Sequence, residues 1–93
     1  MTIGLLEMDF LVPGARSLKE KRSVVKSLKD RLRARFNCSV AEVAFQDVWT
    51  RFRLAVCVVS GDVRFANTQL NEIVNFASSH RGAVLADYRI EML

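Results

Sequence analysis

The apolar residues of this chain change their spacing along the sequence in a fixed order: alternating, helical, alternating, alternating, helical, alternating. Alternation buries one side of a strand, and a spacing of three and four residues buries one side of a helix. The order of the spacings is therefore the order of the elements.

Thr2–Val12 alternates, with Leu6, Met8, Phe10 and Val12 on one side and Glu7 and Asp9 on the other. Pro13-Gly14 stops this strand. Ser17-Leu18-Lys19-Glu20 is a capping box, in which serine and glutamate satisfy free N–H groups at a helix start. Leu18, Val25, Leu28, Leu32 and Phe36 then share one side of a helix over Leu18–Phe36, with Asn37 as its stop. Cys38–Gln46 is rich in strand formers, and Phe52–Ser60 is apolar almost throughout, as a central strand is. Asp47-Val48-Trp49-Thr50 is short enough for a hairpin turn between them. Setting Gln46 opposite Arg51 places Val40 against Cys57 and offsets Cys38 from Cys57, which argues against a disulfide.

Ser60-Gly61-Asp62 starts a second helix, along which Val63, Ala66, Leu70, Ile73 and Ala77 recur as far as Ser79. His80-Arg81-Gly82 closes it. In the last strand, Val84–Met92, the expected inward residues are Val84, Ala86, Tyr88, Ile90 and Met92, with Asp87, Arg89 and Glu91 outward.

The order βαββαβ defines an α+β class, the ferredoxin-like sandwich. One domain over residues 1–93 is expected, with a four-stranded antiparallel sheet in the order 4-1-3-2 and two helices on one face. The other face is expected to carry Glu7, Asp9, Glu42, Arg53, Asp87, Arg89 and Glu91, beside Ile3, Leu5, Ala55 and Val59.

Composition narrows the class further. With 51% hydrophobic and 26% charged residues the chain is too apolar for disorder. No run of about 20 apolar residues crosses a bilayer, so no membrane partner is expected. The apolar run Ile3–Val12 is broken by Glu7 and Asp9 and follows no basic stretch, unlike a signal peptide. A cytoplasmic location is expected, with Cys38 and Cys57 reduced and packed as small apolar residues. Their spacing matches no metal site, and neither a metal nor a cofactor is expected. His80, the only histidine, is expected at the surface at a helix end.

Charge is distributed unevenly. Arg16 to Arg35 contains nine basic residues against Glu20 and Asp30, a net +7, while the rest of the chain is net −3. Lys19, Arg22, Lys26, Lys29 and Arg33 form a stripe about 20 Å long at 1.5 Å per residue. Such a stripe is able to track a nucleic-acid backbone. Arg16 and Lys19 lie beside the helix N-terminus, a combination suited to an anion. A solvated helix face has the same composition, and so has a site for an acidic protein. Trp49, near Phe45 and Phe52, has two readings: stacking on a base, or closing the end of the core.

Other chemistries fit less well. The acids of the open sheet face share it with Arg53 and Arg89, so cross-strand ion pairs account for them. The aromatic platform of an RNA-recognition motif is missing, because the first and third strands would show Leu5, Glu7, Asp9, Arg53, Ala55 and Cys57. A small phosphate-ester or acyl-phosphate hydrolase using Arg16 would need a glycine-rich phosphate loop, and Gly14-Ala15-Arg16-Ser17 lacks that pattern. No catalytic residue is expected.

The stretch Val12-Pro13-Gly14-Ala15-Arg16-Ser17-Leu18-Lys19-Glu20-Lys21-Arg22 resembles the signature of the YlxP-like bacterial proteins, a family of unknown function. Phe36-Asn37, Val40-Ala41-Glu42-Val43, the Asp47–Trp49 pair and Val58-Val59-Ser60 extend the resemblance along nearly the whole chain. The resemblance implies a ferredoxin-like fold in a small cytoplasmic protein. Such proteins are often encoded beside ribosome-maturation and translation-initiation factors, which implies a role at RNA or the ribosome. It supplies no catalytic residues, and Cys38, Cys57 and His80 are not part of its pattern. Two functions follow as expectations. One is a non-enzymatic RNA- or ribosome-associated protein using Arg16, Lys19, Arg22, Lys26, Lys29, Arg33 and Trp49. The other is a homo-oligomer, such as a homodimer, formed by strand-edge pairing or by docking of open sheet faces through Ile3, Leu5 and Val59.

Overall fold

The computed structural model describes Met1–Leu93. Its elements are β1 (Thr2–Leu11), α1 (Leu18–Arg35), β2 (Ser39–Ala44), β3 (Arg51–Ser60), α2 (Val63–Ser78) and β4 (Val84–Met92). The four strands form one antiparallel sheet in the order β2-β3-β1-β4, the expected topology read from the other edge.

Strand β1 runs through the centre and fixes the two faces. Leu6, Met8 and Phe10 are buried, and opposite them on β3 lie Val56, Leu54 and Phe52, buried as well. The Phe10 and Phe52 rings stack with centroids 4.9 Å apart. Val25, Leu28 and Leu32 of α1 and Ala66, Leu70, Ile73 and Ala77 of α2 close the same core. Ser17 caps α1 by accepting the Glu20 N–H at 3.1 Å, and Asp62 caps α2 by accepting from Arg64 N–H at 2.8 Å.

One close approach sets how tightly α2 can pack. Gly4 faces the helices, and a Cβ there would lie 2.8 Å from Leu70 Cδ1 and 3.3 Å from Val58 Cγ2. Leu70 is fully buried and has no room to retreat. Gly4→Ala is therefore expected to lower stability by about 1–3 kcal/mol, the usual result of overpacking. Urea unfolding measures this, and an unchanged midpoint would mean that Leu70 repacks freely.

Two bulges correct the expected side-chain assignments. The β2–β3 register shifts between Glu42 and Ala44, so Val40 opposes Val56 rather than Cys57. Glu42 opposes Leu54 and projects toward α1, not onto the open face. The β1–β4 register shifts between Asp9 and Phe10. Leu85 therefore takes the inward place opposite Phe10, and Val84 opposes Leu11 on the open side. A single extra residue moves every side chain beyond it to the other face. Past this bulge Tyr88, Ile90 and Met92 oppose Met8, Leu6 and Gly4, while Asp87, Arg89 and Glu91 face outward as expected. Two further corrections concern His80, which is buried, and Trp49, which is 47% exposed and does not close the core.

Candidate functional site

Helix α1 commits its basic residues unequally. Lys21 falls on its apolar side and is fully buried. Its Nζ donates to Glu42 Oε2 at 3.0 Å, to the Phe45 carbonyl at 2.7 Å and to the Gln46 carbonyl at 3.2 Å. The ammonium thereby ties α1 to the bulge and to the β2–β3 turn. Phe45 has a φ of 65°, rare for a side chain of its size. Its carbonyl is held by Lys21, and its ring lies under the Arg51 guanidinium at 4.0 Å.

Arg31 and Arg35 face α2. Both guanidinium groups lie about 5 Å from the centre of the Phe76 ring, at 5.0 and 4.9 Å. Arg31 Nη1 also lies 3.1 Å from His80 Nδ1. A guanidinium has only protons to give, so Nδ1 is the acceptor and the ring proton sits on Nε2. Burial pushes the His80 pKa down, the Arg31 charge adds to this, and the Val24 backbone pulls weakly the other way.

Near neutral pH His80 is uncharged both in the fold and in the unfolded chain. As the pH falls below the ordinary histidine value of 6.5, the unfolded chain takes up the proton first. Stability is therefore complete above that value and declines toward the lower folded pKa. Thermal melts at pH 8 and pH 5 should show the lower midpoint at pH 5, and His80→Gln should reduce the difference. Because this is the only histidine, a flat wild-type profile would contradict the assignment.

The remaining basic residues build a surface. Arg22, Lys26, Lys29 and Arg33 line one groove of about 390 Å³ between α1 and β2, together with Val25, Asp30 and Glu42. Lys26 pairs with Asp30 at 2.7 Å and holds its carboxyl below the usual carboxylate range. Arg33 lies 3.9 Å from the same carboxylate and donates to the Val40 carbonyl of β2 at 3.0 Å. Arg22 and Lys29 make no ion pair and no side-chain hydrogen bond. Because Lys21 neutralises Glu42, the four cations stand against Asp30 alone, a surplus of +3.

Arg16, Lys19 and Trp49 lie outside this groove but near one end of it. The Val12 N–H donates to the Thr50 carbonyl at 2.8 Å, so the turn carrying Trp49 meets the segment that leads into α1. Arg16 and Lys19 are exposed there without a side-chain partner. At the helix start Ser17 accepts the Glu20 N–H, and the Glu20 carboxylate turns back to the Arg16 backbone N–H, just before the cap, rather than to that of Ser17.

The open sheet face carries the expected cross-strand ion pairs. Arg53 meets Asp9 at 2.6 and 3.3 Å through two nitrogens, and Arg89 meets Glu7 at 2.6 Å. The Arg53 guanidinium holds the Asp9 carboxyl below its usual range. Ile3, Leu5 and Cys57 are half-buried on this face, and Val59 is 65% exposed. Cys38, beside α1, is also free, and burial pushes its thiol pKa up. No three His, Cys, Asp or Glu side chains come together in a way able to hold a metal ion. No helix is long and apolar enough to cross a membrane.

Sheet, helices and grooves together define a ferredoxin-like α+β protein. The fold is shared with solved structures of low sequence identity. A protein of Mycobacterium tuberculosis, Rv0793, superposes with a TM-score of 0.54 at 15% identity, over 100% of this chain and 93% of its own. SnoaB, a cofactor-independent oxygenase from Streptomyces nogalater, gives 0.52 at 16%, over 99% and 90%. The designed protein Ferredog-Diesel gives 0.51 at 18%, over 98% and 84%. At such identities the likeness concerns the fold alone.

The sequence itself places the chain more narrowly. It belongs to the family described as "Protein of unknown function (DUF503)", whose pattern matches residues 3–90. It is 34% identical over 77 residues to the uncharacterised protein YlxP of Bacillus subtilis (strain 168), covering 83% of this chain and 84% of that one.

Proposed function

We propose that this chain is a non-enzymatic cytoplasmic protein that binds RNA, in the free state or within the ribosome, along the α1–β2 groove. The observation that carries this reading is the convergence of Arg22, Lys26, Lys29 and Arg33 on one groove, with Arg22 and Lys29 unpaired. A strand of phosphates needs cations in a row and no other chemistry. Lys19 and Arg16 continue the row past the helix start, and Trp49 offers an exposed ring to an unpaired base. Lys21 has a supporting part. By holding Glu42 from inside, it removes a negative charge from the groove floor.

Co-sedimentation with RNA and with ribosomal subunits at two salt concentrations tests the reading. Binding at low salt that weakens at high salt is expected, as is its loss on charge reversal of Lys26 and Lys29. Activity of the wild type on phosphate esters or acyl phosphates, abolished by Arg16→Ala, would favour a hydrolase instead. Retention of full binding by the doubly reversed protein would remove the stripe from consideration.

A further inference from the structure

The open face of the sheet has a charge pattern that fits a copy of itself. On β3 the charged residues of this face are Arg51 and Arg53, and on β1 they are Glu7 and Asp9. The apolar residues Ile3 and Leu5 lie directly beside Val59 and Cys57 on the same two central strands. We propose that two chains dock by these faces about a two-fold axis parallel to the strands, between β1 and β3.

That operation lays β3 of one chain over β1 of the other and keeps each residue at its own height along the strands. Val59 then meets the partner's Ile3, and Cys57 meets the partner's Leu5. Arg53 comes over the partner's Asp9, so each guanidinium lies between two carboxylates and no like charges are opposed. At the margins β2 comes over β4. The small, exposed Ala41 is level with Arg89, through Ala55 and Glu7, and leaves room for the partner's Arg89. The strands of the two sheets run parallel at the axis, and the sheets stack at a spacing of about 10 Å.

Four strands at about 4.8 Å, each about eight residues long, give a face of about 500 Å² per chain. For the two chains together that is about 1,000 Å², just below the about 1,200 Å² at which stable interfaces begin. The dimer is accordingly a weak one. It is independent of the α1–β2 groove, which lies on the other side of the sheet.

Sedimentation equilibrium from micromolar to millimolar concentration is the test. The wild-type mass is expected to rise from 10.5 kDa toward twice that value. Val59→Asp, at an exposed position, should weaken association at least about tenfold, as loss of a central anchor does. Its circular dichroism and RNA binding should match the wild type. Two substitutions at Ala41 test the geometry. Ala41→Arg, facing the partner's Arg89, should weaken the dimer, whereas Ala41→Glu should preserve or strengthen it. A strict monomer at millimolar concentration would overturn the proposal. So would undiminished association of Val59→Asp, or equal weakening by both Ala41 variants.

Discussion

Replacing Lys21 by methionine is expected to lower stability by about 3 kcal/mol, the cost of leaving one member of a buried ion pair without the other. Methionine fills nearly the same space, so the loss reflects charge and hydrogen bonds rather than a cavity. Glu42 loses its counter-ion, and the Phe45 and Gln46 carbonyls lose their donor. For a domain of this size the melting temperature should fall by about 12–24 °C. Adding Glu42→Gln removes the stranded charge. The double variant should therefore recover at least about 1 kcal/mol relative to the sum of the single changes. Denaturant unfolding of the four proteins completes the cycle. A loss below about 1 kcal/mol for Lys21→Met, or strict additivity, would show that the contact is incidental.

Lys21 also shows how much of this structure was legible. The apolar positions Leu18, Val25, Leu28 and Leu32 leave one gap, and at three-and-four spacing residue 21 fills it. A lysine on the core side of a helix is a signal for a buried partner, although nothing local identifies that partner as Glu42. The capping residues, the central strands and the element order were readable because each depends on neighbours within a few positions. The bulges after Glu42 and before Asp87 were not, because Val-Ala-Glu-Val-Ala and Val-Leu-Ala-Asp alternate acceptably in either register. The buried His80 meets Arg31, 49 residues away, and no periodicity encodes such a contact.

The candidate site followed the same division. The basic stripe was visible in the spacing of α1. Its sorting into committed and free cations required the fold. Arg31 and Arg35 are spent on Phe76, Lys26 on Asp30 and Lys21 on the core, which leaves Arg22 and Lys29 as the free cations of the groove.

Charge reversal of those two, Arg22→Glu with Lys29→Glu, is therefore expected to weaken RNA binding more than reversal of Lys26, which already serves Asp30. A loss of at least about tenfold at low salt is expected, because two favourable phosphate contacts become repulsive. The fold should be unaffected, since neither side chain has an internal partner. Matched melting temperatures would confirm that the lost affinity is not lost structure.

The most direct measurement is the salt dependence of binding to a single-stranded RNA oligonucleotide, for the wild type and for this double variant. Log affinity should fall linearly with log salt, and the variant's slope should be shallower by about 1.4, or about 0.7 for each phosphate contact removed. Equal affinities and equal slopes for the two proteins would contradict binding through the α1–β2 groove.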